Sequence, residues 1–218
     1  MGKYIKKFET HNQYTAFTQT DDFILPNVSY CLDQTDIVHY NPIVPMNVIT
    51  YQATEKLTET TNSTSRGLHT NAFSDTNSQQ LTMTSHTFEN GVGTIEFDGD
   101  IATIGSYAFY SCSSLTSIDI PNNVTRIGGR VFQYCSGLTS VTIGSGVTSI
   151  GYNAFDSCSS LTSITSLATT APTIEYNTFY KVMSGGTLTV PSGSNGYDAW
   201  MGTGNHYLGK YNWTKIEQ

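Results

Sequence analysis

Four cysteines and five histidines carry most of the reactive chemistry this sequence can offer. Thiols and imidazoles bind metals when they fall at ligand spacing, and a thiol beside a base can act as a nucleophile. Cys112, Cys135 and Cys158 each lie in a Ser-bearing phrase, FYSCSSLTSI, FQYCSGLTSV and FDSCSSLTSI, which invites either reading. Neither survives the spacing. Successive thiols are 23 residues apart, no CxxC pair occurs, and no His accompanies them. His11, His39, His69, His86 and His206 form no HExxH or comparable ligand set. GSGVTS at 144–149 and PSGSNG at 191–196 contain neither GxSxG nor a phosphate loop ending in Lys-Ser/Thr. The acids of the same region, Glu96, Asp98, Asp100, Asp119, Asp156 and Glu175, are scattered, as solvated carboxylates are. The expectation is a protein that is not an enzyme and holds no metal or cofactor.

The same spacing gives the cysteines another purpose. Phe109, Phe132 and Phe155 keep the 23-residue period, and so do Leu115, Leu138 and Leu161, Ile104, Ile127 and Ile150, and Gly105, Gly128 and Gly151. A strict period of this length marks a solenoid, in which each copy buries its apolar side by stacking on its neighbours. Upstream, Ile95, Phe97, Ile101 and Ile104 repeat the spacing of Ile118, Ile120, Val124 and Ile127. Downstream, IEYNTF answers IGYNAF and LTVP answers IDIP, so about four coils and an end strand are expected between residues 93 and 191. Within a copy, LTSIDIP alternates like a short strand, and strands from successive copies should form a parallel sheet. The IGxxAFxxC segment returns the chain along the opposite wall. Its Gly suits a tight corner with positive φ, and its Phe and Cys fill the interior. Stacking then predicts a row of buried thiols, with Cys31 outside the row, reduced or buried.

The pattern LTSIDIPNNVTRIGGRVFQYCSG resembles the BspA-type leucine-rich repeat of bacterial surface proteins, frequent in gut Bacteroidetes and their phages. The resemblance covers about 100 of the 218 residues and departs from the motif at Val131, which replaces Ala, and Gly144, which replaces Pro. It implies a mainly β leucine-rich-repeat solenoid with an outward surface role. The string LPNVSYC…VHYNP resembles an N-terminal module that accompanies such repeats in gut Bacteroides and phage proteins.

The ends obey other rules. Residues 1–50 read as a small α+β attachment or oligomerisation module: a short helix in ETHNQYTAFTQT capped by Thr10, then two strands around a turn at Asp33, Gln34 and Thr35. Residues 51–92 read as a degenerate first coil or linker anchored by Phe73 and Phe88, with TETTNSTS as a loop or loosely ordered edge rather than an element. Residues 192–218 hold Trp200, Trp213, Tyr197, Tyr207 and Tyr211. Those five form either a cap over the last coil or a stacking surface for a glycan or protein, and exposure of the tryptophans separates the two.

Charged residues make up only 12% of the chain, and its formal net charge of −7 argues against a nucleic-acid partner. No stretch approaches an apolar membrane span. The outward rows of the expected sheet are Thr94 and Glu96, Ser117 and Asp119, Ser140 and Thr142, Ser163 and Thr165, then Thr187 and Thr189. These hydroxyls either solubilise a β surface and bond along the rows or form a broad binding face of low charge. The function expected is structural or adhesive, on the outside of a phage virion as a fibre or decoration protein, since the start MGKYIKKFETHNQYTAF has no apolar run of secretion-signal length. The competing reading is a bacterial cell-surface or secreted adhesin that binds a host protein or glycan. Partners are expected to be other virion or surface proteins, through the N-terminal module, and further copies in a homo-oligomer.

Overall fold

A computed structural model of the chain describes residues 29–32, 38–41, 47–62 and 65–218. The chain divides into two compact units, Met1–Pro45 and Met46–Gln218. In the first, strands Ser29–Leu32 and Val38–Asn41 pair antiparallel, with Cys31 opposite His39. The helix expected at 9–20, the turn at 33–35 and the side chain of Cys31 lie outside the described residues.

The second unit is mainly β. Its larger sheet has eight strands in the order Thr214–Glu217, Thr187–Val190, Ser163–Ser166, Ser140–Ile143, Leu115–Asp119, Val48–Ala53, Val92–Phe97, Met83–Glu89. From Thr214–Glu217 to Leu115–Asp119 the strands run parallel and in register, Ile118 beside Val141, Val141 beside Ile164 and Ile164 beside Leu188. A second sheet of five short strands lies on the return path, with Ile104, Ile127, Ile150 and Ile174 in register and Phe73–Ser74 added antiparallel at its end. Alternation explains the first sheet: its inward residues are buried and, apart from Ser166, β-branched or Leu, while its outward ones are Ser, Thr or Asp.

The interior is an aromatic spine. Phe109, Phe132, Phe155 and Phe179 stack with centroids 5.4, 5.2 and 5.7 Å apart and planes within 15° of parallel. The period sets this offset stacking, because each copy delivers its ring to the same point on the coil. At one end Phe73 and Phe97 continue the contact, and at the other Trp200 and Tyr197 do. Beside the spine run the three thiols, all buried. Cys135 donates its S–H to the Phe109 carbonyl at 2.9 Å, and Cys158 donates to the Phe132 carbonyl at 3.1 Å.

Three features differ from expectation. The strand Val48–Ala53 crosses position 50 and inserts between Leu115–Asp119 and Val92–Phe97, antiparallel to both. The repeat-like strand at 92–97 keeps the direction of the coils but is one strand removed from them. Second, the repeat glycines do not adopt positive φ; the left-handed positions fall two residues later, at Tyr107, Arg130 and Asn153. The glycines are needed instead for close stacking, since a Cβ on Gly128 would stand 2.7 Å from the Ser106 nitrogen and one on Gly151 2.6 Å from the Gly129 nitrogen. Third, TETTNSTS is not wholly loop, because Glu59–Thr60 pairs with Leu68–His69.

Candidate functional site

The outward rows of the larger sheet lie where alternation puts them, with one correction. Ser117, Ser140, Ser163 and Thr187 share one row, and Asp119, Thr142, Thr165 and Thr189 the next. Thr94 and Glu96 do not extend these rows directly. The inserted strand places Gln52 beside Ser117 and Thr50 beside Asp119, and Thr94 then meets Thr50. The threonines that bond along the stack also differ from those expected. Thr139 donates its hydroxyl to the Thr116 carbonyl at 2.9 Å, and on the return path Thr125 donates to Ala102 and Thr148 to Thr125, each at 3.1 Å. The face presents mainly hydroxyls, with Asp119 and Gln52 in the same rows.

The C-terminal aromatics close the last coil. Trp200 is 1% and Trp213 5% exposed, so neither indole face can stack on a ligand. Their N–H groups donate to the Pro172 and Met183 carbonyls at 3.0 and 2.7 Å, which satisfies the polar edge of each buried ring. Tyr197 is equally buried, donating to the Ala168 carbonyl and paired with the Ser166 hydroxyl. Tyr207 and Tyr211 are half-buried; the Tyr211 hydroxyl accepts from the Lys181 backbone N–H at 2.9 Å. Beyond these residues Thr214–Glu217 adds a further parallel rung, so the segment extends the sheet as well as covering it.

The exposed aromatic surface lies on the turn wall, on the return segment that carries the repeat Phe of each copy. Tyr134, Tyr152 and Tyr176 are 46%, 38% and 67% exposed. The backbone there alternates into the left-handed region at Tyr107 and Ser111, Arg130 and Tyr134, Asn153 and Ser157. Each such non-glycine position costs about 1 kcal/mol. Bonds from one coil to the next offset that cost, from Tyr107, Phe109 and Ser111 N–H groups to the Gly129, Val131 and Gln133 carbonyls at 2.8–3.1 Å. Arg130 donates to the Tyr107 hydroxyl and lies between two rings, its guanidinium 5.5 Å from the Tyr107 centroid and 5.1 Å from that of Tyr152.

A groove of about 400 Å³ opens in this wall. Tyr110 and Tyr134, in edge contact at 5.8 Å, form its aromatic side. Ser111, Ser113, Ser136 and Ser157 supply hydroxyls, and Arg66 the only charge among the described residues of the lining. Arg66 comes from the segment before the repeats and is held by the next residue: the Gly67 N–H donates to the Tyr110 carbonyl at 2.9 Å. Gly67 has φ +131°, and a Cβ there would meet the Thr58 carbonyl oxygen at 2.3 Å, so this loop requires glycine. Behind the groove, the buried Asp156 carboxylate accepts from Gln133, Asn153 and Ser157 side chains at 2.6, 2.7 and 2.8 Å. The signal for this wall was present in the sequence: tyrosines gather around the repeat Phe positions, at Tyr107, Tyr110, Tyr134, Tyr152, Tyr176 and Tyr180.

Reactive groups elsewhere are turned to structure. Burial pushes the Cys135 and Cys158 thiols well up, so neither supplies a thiolate. Near the first coil, Tyr51 and His86 share a 2.7 Å hydrogen bond, and His86 bonds Glu59 through its other nitrogen, also at 2.7 Å. Burial lowers the His86 pKa against the pull of Glu59, and burial raises that of Tyr51. His69 bonds the Ser65 carbonyl, and His206 accepts from the Asn177 N–H. Among the described residues no group of three or more His, Cys, Asp or Glu is arranged to hold a metal, and no helix is long and apolar enough to cross a membrane.

Comparison with known proteins finds similar solved structures and a matching repeat family. A leucine-rich repeat protein from Bacteroides ovatus is 19% identical, with a TM-score of 0.41, covering 90% of this chain and 41% of its own. A leucine rich cell surface protein from Faecalibacterium prausnitzii is 22% identical, with a TM-score of 0.34, covering 79% of this chain and 37% of its own. The chain thus spans less than half the length of either structure. No curated protein matches it. The family model for the BspA type leucine rich repeat region matches six copies across residues 82–200, more than half of the chain. With the 23-residue period and the stacked Phe, Cys, Leu and Ile rows, that match makes this chain a member of the BspA-type leucine-rich-repeat family.

Proposed function

We propose that this protein is a non-enzymatic attachment protein: a repeat scaffold displayed on an outer surface, where its turn wall contacts a target. The observation that carries the reading is the concentration of exposed tyrosines on that wall, at Tyr134, Tyr152 and Tyr176, in a chain otherwise poor in charge. Rings exposed on a rigid laddered backbone lose little entropy on contact, which suits recognition.

The setting we propose is the outside of a phage particle, as a fibre or decoration protein. The N-terminal module would join it to other virion proteins and to further copies in a homo-oligomer. The resemblance of LPNVSYC…VHYNP to a module found with such repeats in gut Bacteroides and phage proteins supports this setting. Membership of the repeat family favours a second, the bacterial cell surface, where the same wall would serve an adhesin. Mass spectrometry of gradient-purified particles, set beside protease shaving of intact host cells, separates them. The virion reading expects a fixed copy number per particle and no shaved peptides from uninfected cells; the reverse pattern assigns the protein to the cell surface. Sedimentation of the full chain tests self-association, and a stable monomer counts against the homo-oligomer.

A further inference from the structure

We propose that the groove beside Tyr134 binds an acidic saccharide, a sugar chain carrying a carboxylate that Arg66 receives. The proposal rests on the attachment reading and names the ligand class of the same wall.

The lining supports it in three ways. First, the hydroxyls are available: the side-chain Oγ atoms of Ser111, Ser113 and Ser136 have no hydrogen-bond partner among the described residues, and so can both donate to and accept from sugar hydroxyls. Ser157 differs, because it donates to Asp156 and thereby presents its oxygen as an acceptor. Second, the rings are placed for stacking. Tyr134 is 46% exposed and braced edge-on by Tyr110, so a sugar can lie on a face that needs no rearrangement. Successive coils place equivalent residues about 4.8 Å apart, comparable with the length of one sugar ring. Third, the charge is single and unspent. Arg66 is exposed, makes no ion pair among the described residues and faces no carboxylate in the lining. Asp156, the acid next to the lining residue Ser157, is buried, and three side-chain donors engage it.

Competing ligands fit less well. A phosphate-rich polymer needs several cations where this groove has one. An apolar peptide would strip water from four serines without replacing their hydrogen bonds. A carboxylated sugar matches each group: bidentate pairing for the guanidinium, hydroxyl partners for the serines and an apolar ring face for Tyr134.

The test is titration calorimetry of the full chain with 3′-sialyllactose and oligogalacturonate as acidic probes and maltoheptaose as the neutral one. Binding of an acidic probe that weakens with added salt, about tenfold or more loss in both Arg66→Ala and Tyr134→Ala, and retention in Tyr134→Phe are expected. Both positions are exposed, so melting should stay at the wild-type value. The proposal is overturned if neither acidic probe binds at millimolar concentration, if maltoheptaose binds equally well, or if Thr142→Arg on the opposite sheet abolishes binding while Tyr134→Ala does not. An independent adhesion assay on host cells separates the two levels. Adhesion by a protein that binds no acidic probe overturns the ligand class alone, whereas loss of both overturns the attachment reading as well.

Discussion

The sheet wall and the turn wall of this solenoid come from the same 23-residue period, yet they present different chemistry. On the sheet wall every copy repeats Ser or Thr at corresponding positions, giving a hydroxyl surface with Asp119 its main interruption. On the turn wall the position after the Ile-Gly glycine is Ser106, Gly129 and then Tyr152, and the left-handed position that follows is Tyr107, Arg130 and then Asn153. The lesson concerns where a repeat protein can vary. Residues that face the stack must recur, because each packs on its own image in the next coil. Outward turn residues pack on nothing that requires repetition, so they are free to acquire a groove, a cation and aromatic faces.

That contrast breaks most completely if the shared interior is removed. Phe132→Ala should cost about 3–5 kcal/mol in denaturant unfolding, because the ring is flanked by Phe109 and Phe155 and its cavity cannot close from either side. Both walls should fail together in such a variant; survival of one would show that they fold separately. Gly128→Ala tests the close approach of the coils. Its Cβ would meet backbone atoms of Gly105 and Ser106, which cannot swing aside as a side chain would, so a loss of about 1–3 kcal/mol is expected.

The segment that precedes the repeats carries a titratable group that the repeats lack. His86 is held neutral by burial, with Tyr51, Glu59 and Lys56 as the groups around it. Its pKa is lower in the folded chain than in the unfolded one. The resulting stability is therefore full above the unfolded value near 6.5 and is lost as pH falls through the lower folded value. Unfolding midpoints should drop between pH 7.5 and pH 5.5 in the wild type and change less in His86→Gln; equal slopes would remove His86 from the account.

The two smallest effects sharpen the comparison itself. Thr139→Val deletes one hydroxyl bond to the Thr116 carbonyl, which keeps the Thr139 N–H as a partner, and should cost about 1 kcal/mol or less by chemical denaturation. Tyr134→Ala should change stability by less than about 0.5 kcal/mol in the same assay, as expected of an exposed side chain. A large loss at Tyr134 would mean that the wall depends on its aromatic residues for folding and does not merely display them.

Much of this protein is legible from residue order. The period, the rows of Phe, Cys, Leu and Ile, the parallel sheet and the buried fate of the thiols all follow from the rule that a periodic chain stacks like on like. That rule is local and needs no knowledge of distant partners. Tertiary structure alone decided the rest. The insertion of Val48–Ala53 beside Leu115–Asp119 is an antiparallel pairing across more than 60 residues, and nothing in either segment names the other. The same long-range folding brings Arg66 to Tyr110 and Tyr134, and it buries Trp200 and Trp213 beneath the last coil. Periodicity specifies a neighbour at a known distance along the chain; closing an end or assembling a groove depends on surfaces that exist only after the coils have stacked.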